Sequence, residues 1–175
     1  NKEIKRYDLI IVSDYGHGLI SKKSAITICK KSKFLALNAQ INASNIGYHT
    51  IRNYNRFNTL IINEKEIRHE MRDKISKLEN LMKKLSIEKK IKNLIVTKGE
   101  SGSILYNKKI NKYFYADAFA KKVVDKIGAG DTMLSLVGPC LKNKVDHQTT
   151  LLIGSLAAAH SVETIGNKDT IDKIN

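Results

Sequence analysis

Two carboxylates and two glycines fall within residues 123–132, VVDKIGAGDT, the stretch of the chain best equipped for chemistry. Gly128-Ala129-Gly130 forms a turn with no bulky side chain to keep a phosphate away from the backbone. From Ala129 onward the apolar residues Met133, Leu134, Leu136 and Val137 take up helical spacing. The amides of Gly128, Ala129, Gly130 and Asp131 then become first-turn donors without intrahelical acceptors, at the positive end of a helix, which is a place to bind an anion. A carboxylate beside such an anion is repelled by it. The task that would keep Asp131 there is to accept a proton from a hydroxyl attacking phosphorus. The plainer alternative is that Gly-Ala-Gly-Asp only caps a helix, since both residue types are common at caps and turns. The residues alone leave the two readings level.

Such a turn works only if a scaffold holds it, and the remaining sequence alternates strand and helix signals. Residues 8–13 (DLIIVS), 34–37 (FLAL), 59–62 (TLII) and 93–96 (NLIV) are short, nearly continuous apolar runs of the kind buried in a parallel sheet, and Val123-Val124 reads as the end of another. Ser21 can cap a helix that turns Ala25, Ile26, Ile28 and Cys29 inward. Asn63 opens a second helix, with Glu66 three residues later at capping-box spacing. Over 74–92 the positions Ile75, Leu78, Leu81, Met82, Leu85 and Ile91 predict a long amphipathic helix. Gln148 to Val162 predicts another, rich in small residues and suited to close packing on the helix that carries Asp131, which Pro139 and Lys142-Asn143-Lys144 bring to an end. Residues 41–57, rich in Asn and aromatics without a sustained period, form an irregular crossover. There Tyr54 and Phe57, with Tyr48, either pack over the sheet, the commoner case, or offer a stacking surface. After 93–96 come a turn at Thr97 to Gly102, the strand 103–106, a second turn at Asn107-Lys108-Lys109 and the strand 110–115. The sum is an α/β fold: a twisted, mainly parallel sheet with helices on both faces.

In such a sheet ligands bind at the carboxyl ends of the strands. The polar segments there are Asp14 to Gly18 (DYGHG), Asn38-Ala39-Gln40, Asn63 to Glu66 and Thr97 to Gly102. Glu66, in the first turn of its helix, is placed to act through water on a hard cation. Asp14 reads equally as a carboxylate that satisfies the amides of a strand-to-helix turn. His17 and His160 lack partners at metal-ligand spacing.

Three of these segments, together with the glycine turn, resemble the ribokinase-like (pfkB) carbohydrate kinases. DKIGAGDT is similar to their second signature, usually D-T-x-G-A-G-D; Asn63 to Glu66 is their N-x-x-E; Thr97, Gly99 and Gly102 match a T-x-G-x-x-G turn; and SDYGHG looks like the SDYGKG-like segment of the heptose kinases, with His17 replacing lysine. The resemblance runs from Asp8 to about Ile174 and corresponds to the carboxyl-terminal part of a complete member. It is strongest toward the heptose-phosphate kinase-like and nucleotidyltransferase-associated sugar kinases. It implies that residues 1–175 form a single, partial ribokinase-like domain, a fragment, truncated product or gene remnant that keeps the nucleotide half and lacks the acceptor half. The implied function is an ATP-dependent sugar or sugar-phosphate kinase. Asp131 would be the catalytic base and Gly128, Ala129 and Gly130 the anion hole. Asn63 and Glu66 would organise magnesium and its waters, with Asn38, Thr97, Gly99, Gly102 and Asn167 near the nucleotide and Asp125 at a position associated with a monovalent cation. Lys126 stands where threonine is usual, and the proline that normally follows the Asn38 position is absent. The alternative is a nucleotide-binding or regulatory remnant without catalytic activity. Homo-oligomers, or association through the incomplete sheet edge, are expected partners beside ATP and sugar.

Composition bounds these readings. At 175 residues the chain suits one core. Its net charge of +14 raises a nucleic-acid binder as a third class. The lysines are scattered along helices in short pairs, however, and aromatics are 6% of the chain, so a solvated basic surface is favoured. Cys29 and Cys140 are too few for a disulfide framework and are expected to be reduced. No apolar run approaches the roughly 20 residues needed to span a bilayer, and NKEIKRYD carries no signal-peptide core, so a cytoplasmic protein is expected.

Overall fold

The computed structural model describes residues 3–40, 51–120, 122–125 and 127–163. Six strands form a sheet in chain order: β1 (Ile10–Asp14), β2 (Leu35–Ala39), β3 (Thr59–Asn63), β4 (Asn93–Thr97), β5 (Ser103–Asn107) and β6 (Lys112–Ala116). β1 to β4 run parallel, while β5 and β6 are added antiparallel through two tight turns. Five α-helices lie among the described residues: α1 (Lys22–Lys31), α2 (Glu64–Met71), α3 (Leu78–Glu88), α4 (Ala129–Lys142) and α5 (His147–Glu163).

Strand alternation divides the apolar residues between two cores. On one face Val12, Leu35, Leu37, Leu60, Ile62, Leu94 and Val96 pack with Ala25 and Cys29 of α1, Ile67 of α2 and Leu81, Met82 and Leu85 of α3. Tyr54 and Phe57 are buried in this core as packing residues, whereas Tyr48 lies outside the described residues. On the other face Ala36, Ile61, Ile95 and Leu105 meet Met133, Leu134 and Val137 of α4 and Leu151 of α5. The expected mainly parallel sheet with helices on both faces is therefore what the chain forms.

Two expectations fail for local reasons. The helix foreseen over 74–92 begins only at Leu78, because the Asp73 carboxylate accepts the amides of Ile75 and Ser76 at 3.0 and 2.9 Å and the Ser76 hydroxyl at 2.7 Å. These bonds offer the backbone an alternative to the helix and leave Ile75 96% exposed. Val123-Val124 ends no strand. Both valines are exposed, and the amides of Val124 and Asp125 bond the Val162 carbonyl at 2.7 and 3.1 Å, tying the segment to the end of α5.

The small residues of α5 do what their size allows. A Cβ at Gly154 would stand 2.5 Å from Val137 Cγ2 and 3.0 Å from Met133 Cγ, so glycine is what lets α4 and α5 approach. Gly154→Ala sets a helix-propensity gain of about 1 kcal/mol against an overpacking cost of about 1–3 kcal/mol. A net loss of about 1 kcal/mol is expected in urea unfolding; an unchanged or raised midpoint would show that the helices move apart freely.

Candidate active site

The site is assembled by alternation at the carboxyl ends of β1 and β2. Ile11 and Ser13 of β1, and Ala36 and Asn38 of β2, lie on the face that α4 covers, and Ser13 pairs in register with Asn38. α4 sits close upon them: a Cβ on its Gly138 would lie 3.4 Å from Ala36 Cβ and 3.5 Å from Ile11 Cδ1. Two turns nearer its N-terminus, the same helix brings Gly130 and Asp131 over Asn38 and Ser13. A Cβ at Gly130 would lie 3.0 Å from Asn38 Nδ2. Ser13 Oγ donates to Asp131 Oδ1 at 2.5 Å, and the Tyr15 hydroxyl donates to Asp131 Oδ2.

Gly128 precedes α4 with φ of 88°, a left-handed conformation that a side chain would strain. The first α4 amide bonded back into the turn is that of Thr132, 2.9 Å from the Gly128 carbonyl. The amides before it lie within the first turn and point to the helix N-terminus, where partial positive charge gathers. The two readings of GAGD now separate. Asp131 uses its carboxylate on hydroxyls from β1 and the loop after it, and no side-chain capping bond is made at Gly128.

The loop that delivers Tyr15 is anchored from below. Asp14, 4% exposed, accepts the Gly16 amide at 3.0 Å on Oδ1 and the hydroxyl of fully buried Tyr54 at 2.5 Å on Oδ2. Burial and this carboxylate push the Tyr54 hydroxyl far up, so it serves only as a donor. Asp14 thus fills the amide-satisfying role foreseen for it. The hydrogen bond to Asp131 likewise raises Tyr15 above the ordinary phenol value.

Asn38 is 5% exposed, and its Oδ1 has no hydrogen-bond partner among the described residues. A buried orphan acceptor is uncommon in native proteins, and this one belongs to the side chain that abuts Gly130.

The other foreseen positions lie along the same sheet edge without converging on Asp131 to the same degree. Asn63 and Thr97 are register partners at the ends of β3 and β4. Asn63 and Glu66 form a complete capping box: Asn63 Oδ1 accepts the Glu66 amide, and Glu66 Oε2 accepts the Asn63 amide, both at 2.9 Å. Asn63→Ala is therefore expected to cost about 0.5–2 kcal/mol of stability. A raised magnesium requirement beyond that loss would add the second role, whereas lowered stability at unchanged magnesium dependence would leave the cap alone. Gly99 and Gly102 shape the β4–β5 turn with φ of 59° and 79°. Asp125 accepts the Ile127 amide at 2.9 Å. Asn167 and Lys126 lie outside the described residues. Among the described residues no group of three or more His, Cys, Asp or Glu side chains is placed to hold a metal, and no helix is long and apolar enough to cross a membrane. A cleft of about 380 Å³ lined by Arg52, Glu70, Arg72 and Lys84 involves none of the foreseen site residues.

Sequence reasoning missed Ser13 and Tyr15 as partners of Asp131. One signal was available: Ser13 is the polar residue that ends an apolar strand, on the same alternation as Ile11.

Solved structures share this architecture. Ribokinase from Thermotoga maritima superposes with a TM-score of 0.74 at 21% identity, over 94% of this chain and 53% of that one. Arabidopsis thaliana ribokinase complexed with ribose and ATP gives 0.72 at 19% identity, over 94% and 53%. Together with the glycine turn heading α4, they define a ribokinase-like α/β fold. The model of the pfkB family carbohydrate kinases matches residues 22–174, and the chain belongs to that family. Among curated relatives, the bifunctional protein HldE of Campylobacter fetus subsp. fetus (strain 82-40) is 32% identical over 169 residues, covering 93% of this chain and 35% of that protein. The chain thus spans about a third of the length of such relatives.

Proposed function

We propose that this chain supplies the nucleotide-side half of an ATP-dependent kinase acting on a sugar or sugar phosphate. The observation that carries the reading is Asp131, a carboxylate fixed by two hydroxyls at the head of α4, beside first-turn amides and above Asn38. Asp131 takes the proton from the attacking hydroxyl. The amides of Gly128, Ala129 and Gly130 stabilise charge on the transferring phosphoryl group. The residues fit a phosphate: Asn38 presents its donor Nδ2 beside Gly130, where a Cβ would stand 3.0 Å from it, so the turn carries no side chain that screens this donor. Magnesium, when bound, neutralises phosphate charge, and the Glu66 carboxylate beside Asn63 would act on such an ion through its waters. Thr97, Gly99 and Gly102 complete the nucleotide edge, and Asp125 is the candidate for a monovalent cation. A cytoplasmic setting, where ATP is abundant, accords with this chemistry.

The membership in the pfkB family and the likeness to HldE proteins favour a sugar-phosphate acceptor. The test is transfer from γ-labelled ATP to a panel of sugars and sugar phosphates by the full-length protein as its gene encodes it. Labelled sugar phosphate supports the reading. ATP binding with no labelled product over the whole panel would favour the second reading, a nucleotide-binding regulatory module.

A further inference from the structure

We infer that Ser13 and Tyr15 are positioning residues that clamp the Asp131 carboxylate in one orientation for proton abstraction, an inference that rests on Asp131 being the base. Ser13 Oγ donates to Oδ1 at 2.5 Å and Tyr15 donates to Oδ2, so both ends of the carboxylate are held from β1 and its loop, 118 and 116 residues away in sequence. Each oxygen of a carboxylate has two acceptor positions. One donor on each therefore fixes the plane of the group and leaves a lone pair on each oxygen to receive a proton.

The clamp is itself braced. Ser13 lies on a strand whose register with β2 is continuous from Ile10↔Leu35 to Asp14↔Ala39. Tyr15 stands between Asp14 and Gly16, whose own bond closes the turn, and buried Tyr54 locks Asp14 from the far side. Gly16, with φ of 73°, allows the reversal. A carboxylate on a helix N-terminus with free rotation would swing toward the helix amides, whose partial charge attracts it. The two hydroxyls hold it instead against β1 and the loop that follows it. The Tyr15 hydroxyl, raised chiefly by its bond to Asp131, keeps its proton at neutral pH and donates a hydrogen bond to the carboxylate.

A misplaced base slows proton transfer without altering nucleotide binding. In the full-length protein, Tyr15→Phe and Ser13→Ala should each lower kcat on the order of 10-fold, and together on the order of 100-fold, with KM for ATP unchanged. Ser13→Thr, which keeps the hydroxyl, should restore most of the rate. In an Asp131→Asn background neither substitution should lower the remaining rate further, because they act only through the carboxylate. A merely structural role would persist in that background and overturn the inference. Normal kcat in the double variant would overturn it as well. If Asp131→Asn itself keeps normal turnover, the assignment of the base has failed, which is a different result.

One readout needs no turnover. With ¹³C-labelled tyrosine, the Tyr15 ring signal should titrate at lower pH in Asp131→Asn than in the parent chain, since the anionic acceptor is gone. Identical titration in the two would show that the contact does not exist in solution and would end the proposal.

Discussion

Asp131→Asn is expected to lower kcat on the order of 10²- to 10⁴-fold, the range that a lost general base accounts for, while ATP binding persists. The substitution keeps the shape and one acceptor oxygen, so at least one of the hydroxyl bonds from Ser13 and Tyr15 can survive. It removes the ability to take a proton and a negative charge beside the anion site, so nucleotide affinity should hold or improve. Calorimetry with ATP and turnover on the identified sugar acceptor separate the two effects. A helix-capping role would give a different pattern, with a lower melting temperature at nearly normal kcat. Near-normal kcat in a folded variant removes Asp131 from the mechanism. The geometry already disfavours capping, because the carboxylate's described partners are side chains from another element and the turn itself is entered through left-handed Gly128.

The sequence was informative where one local rule sufficed. Buried parallel strands announce themselves as apolar runs, so β1 to β4 lie within two residues of the expected spans. Asn63 and Glu66 stand at the one spacing that closes a capping box, and the box is present. Gly154 sits in a helix of small residues, and the close contact with Val137 follows from that. Failures arose where a local alternative won. Asp73 captures two amides and displaces the start of α3, an outcome that apolar periodicity does not register because Ile75 falls at a helical position by coincidence. Val123 and Val124 have the residue types of a strand, but their amides find a carbonyl at the end of α5, a partner nearly forty residues downstream. The partners of Asp131 were illegible for the same reason. Which hydroxyls face a carboxylate more than a hundred residues away is decided by how α4 crosses β1 and β2, where Gly138 lies over Ala36 and Ile11.

Gly102 carries the largest expected effect on stability. In sequence it was a candidate for the nucleotide turn, with a hairpin as the simpler explanation of the same glycine. Its φ of 79° and ψ of −142° lie where side-chain-bearing residues are strained, at a cost of about 1–3 kcal/mol. A Cβ there would also collide with the Ala116 carbonyl oxygen and stand 2.9 Å from two backbone atoms of Asp117. These neighbours cannot swing aside as a flexible side chain does, because Ala116 pairs with Ser103 at the end of the β5–β6 ladder. Overpacking adds about 1–3 kcal/mol, so Gly102→Ala should lower stability by about 2–6 kcal/mol and the melting temperature by about 5–20 °C. Gly99 provides the control. Its φ is also positive, at 59°, but a Cβ would meet nothing within 4 Å, so Gly99→Ala should cost only about 1–2 kcal/mol. Thermal unfolding of the two variants side by side measures the difference that the Ala116 contact makes. Equal melting temperatures would overturn the steric argument, and ATP affinity lost only in Gly102→Ala would then leave the nucleotide contact as the role of this glycine.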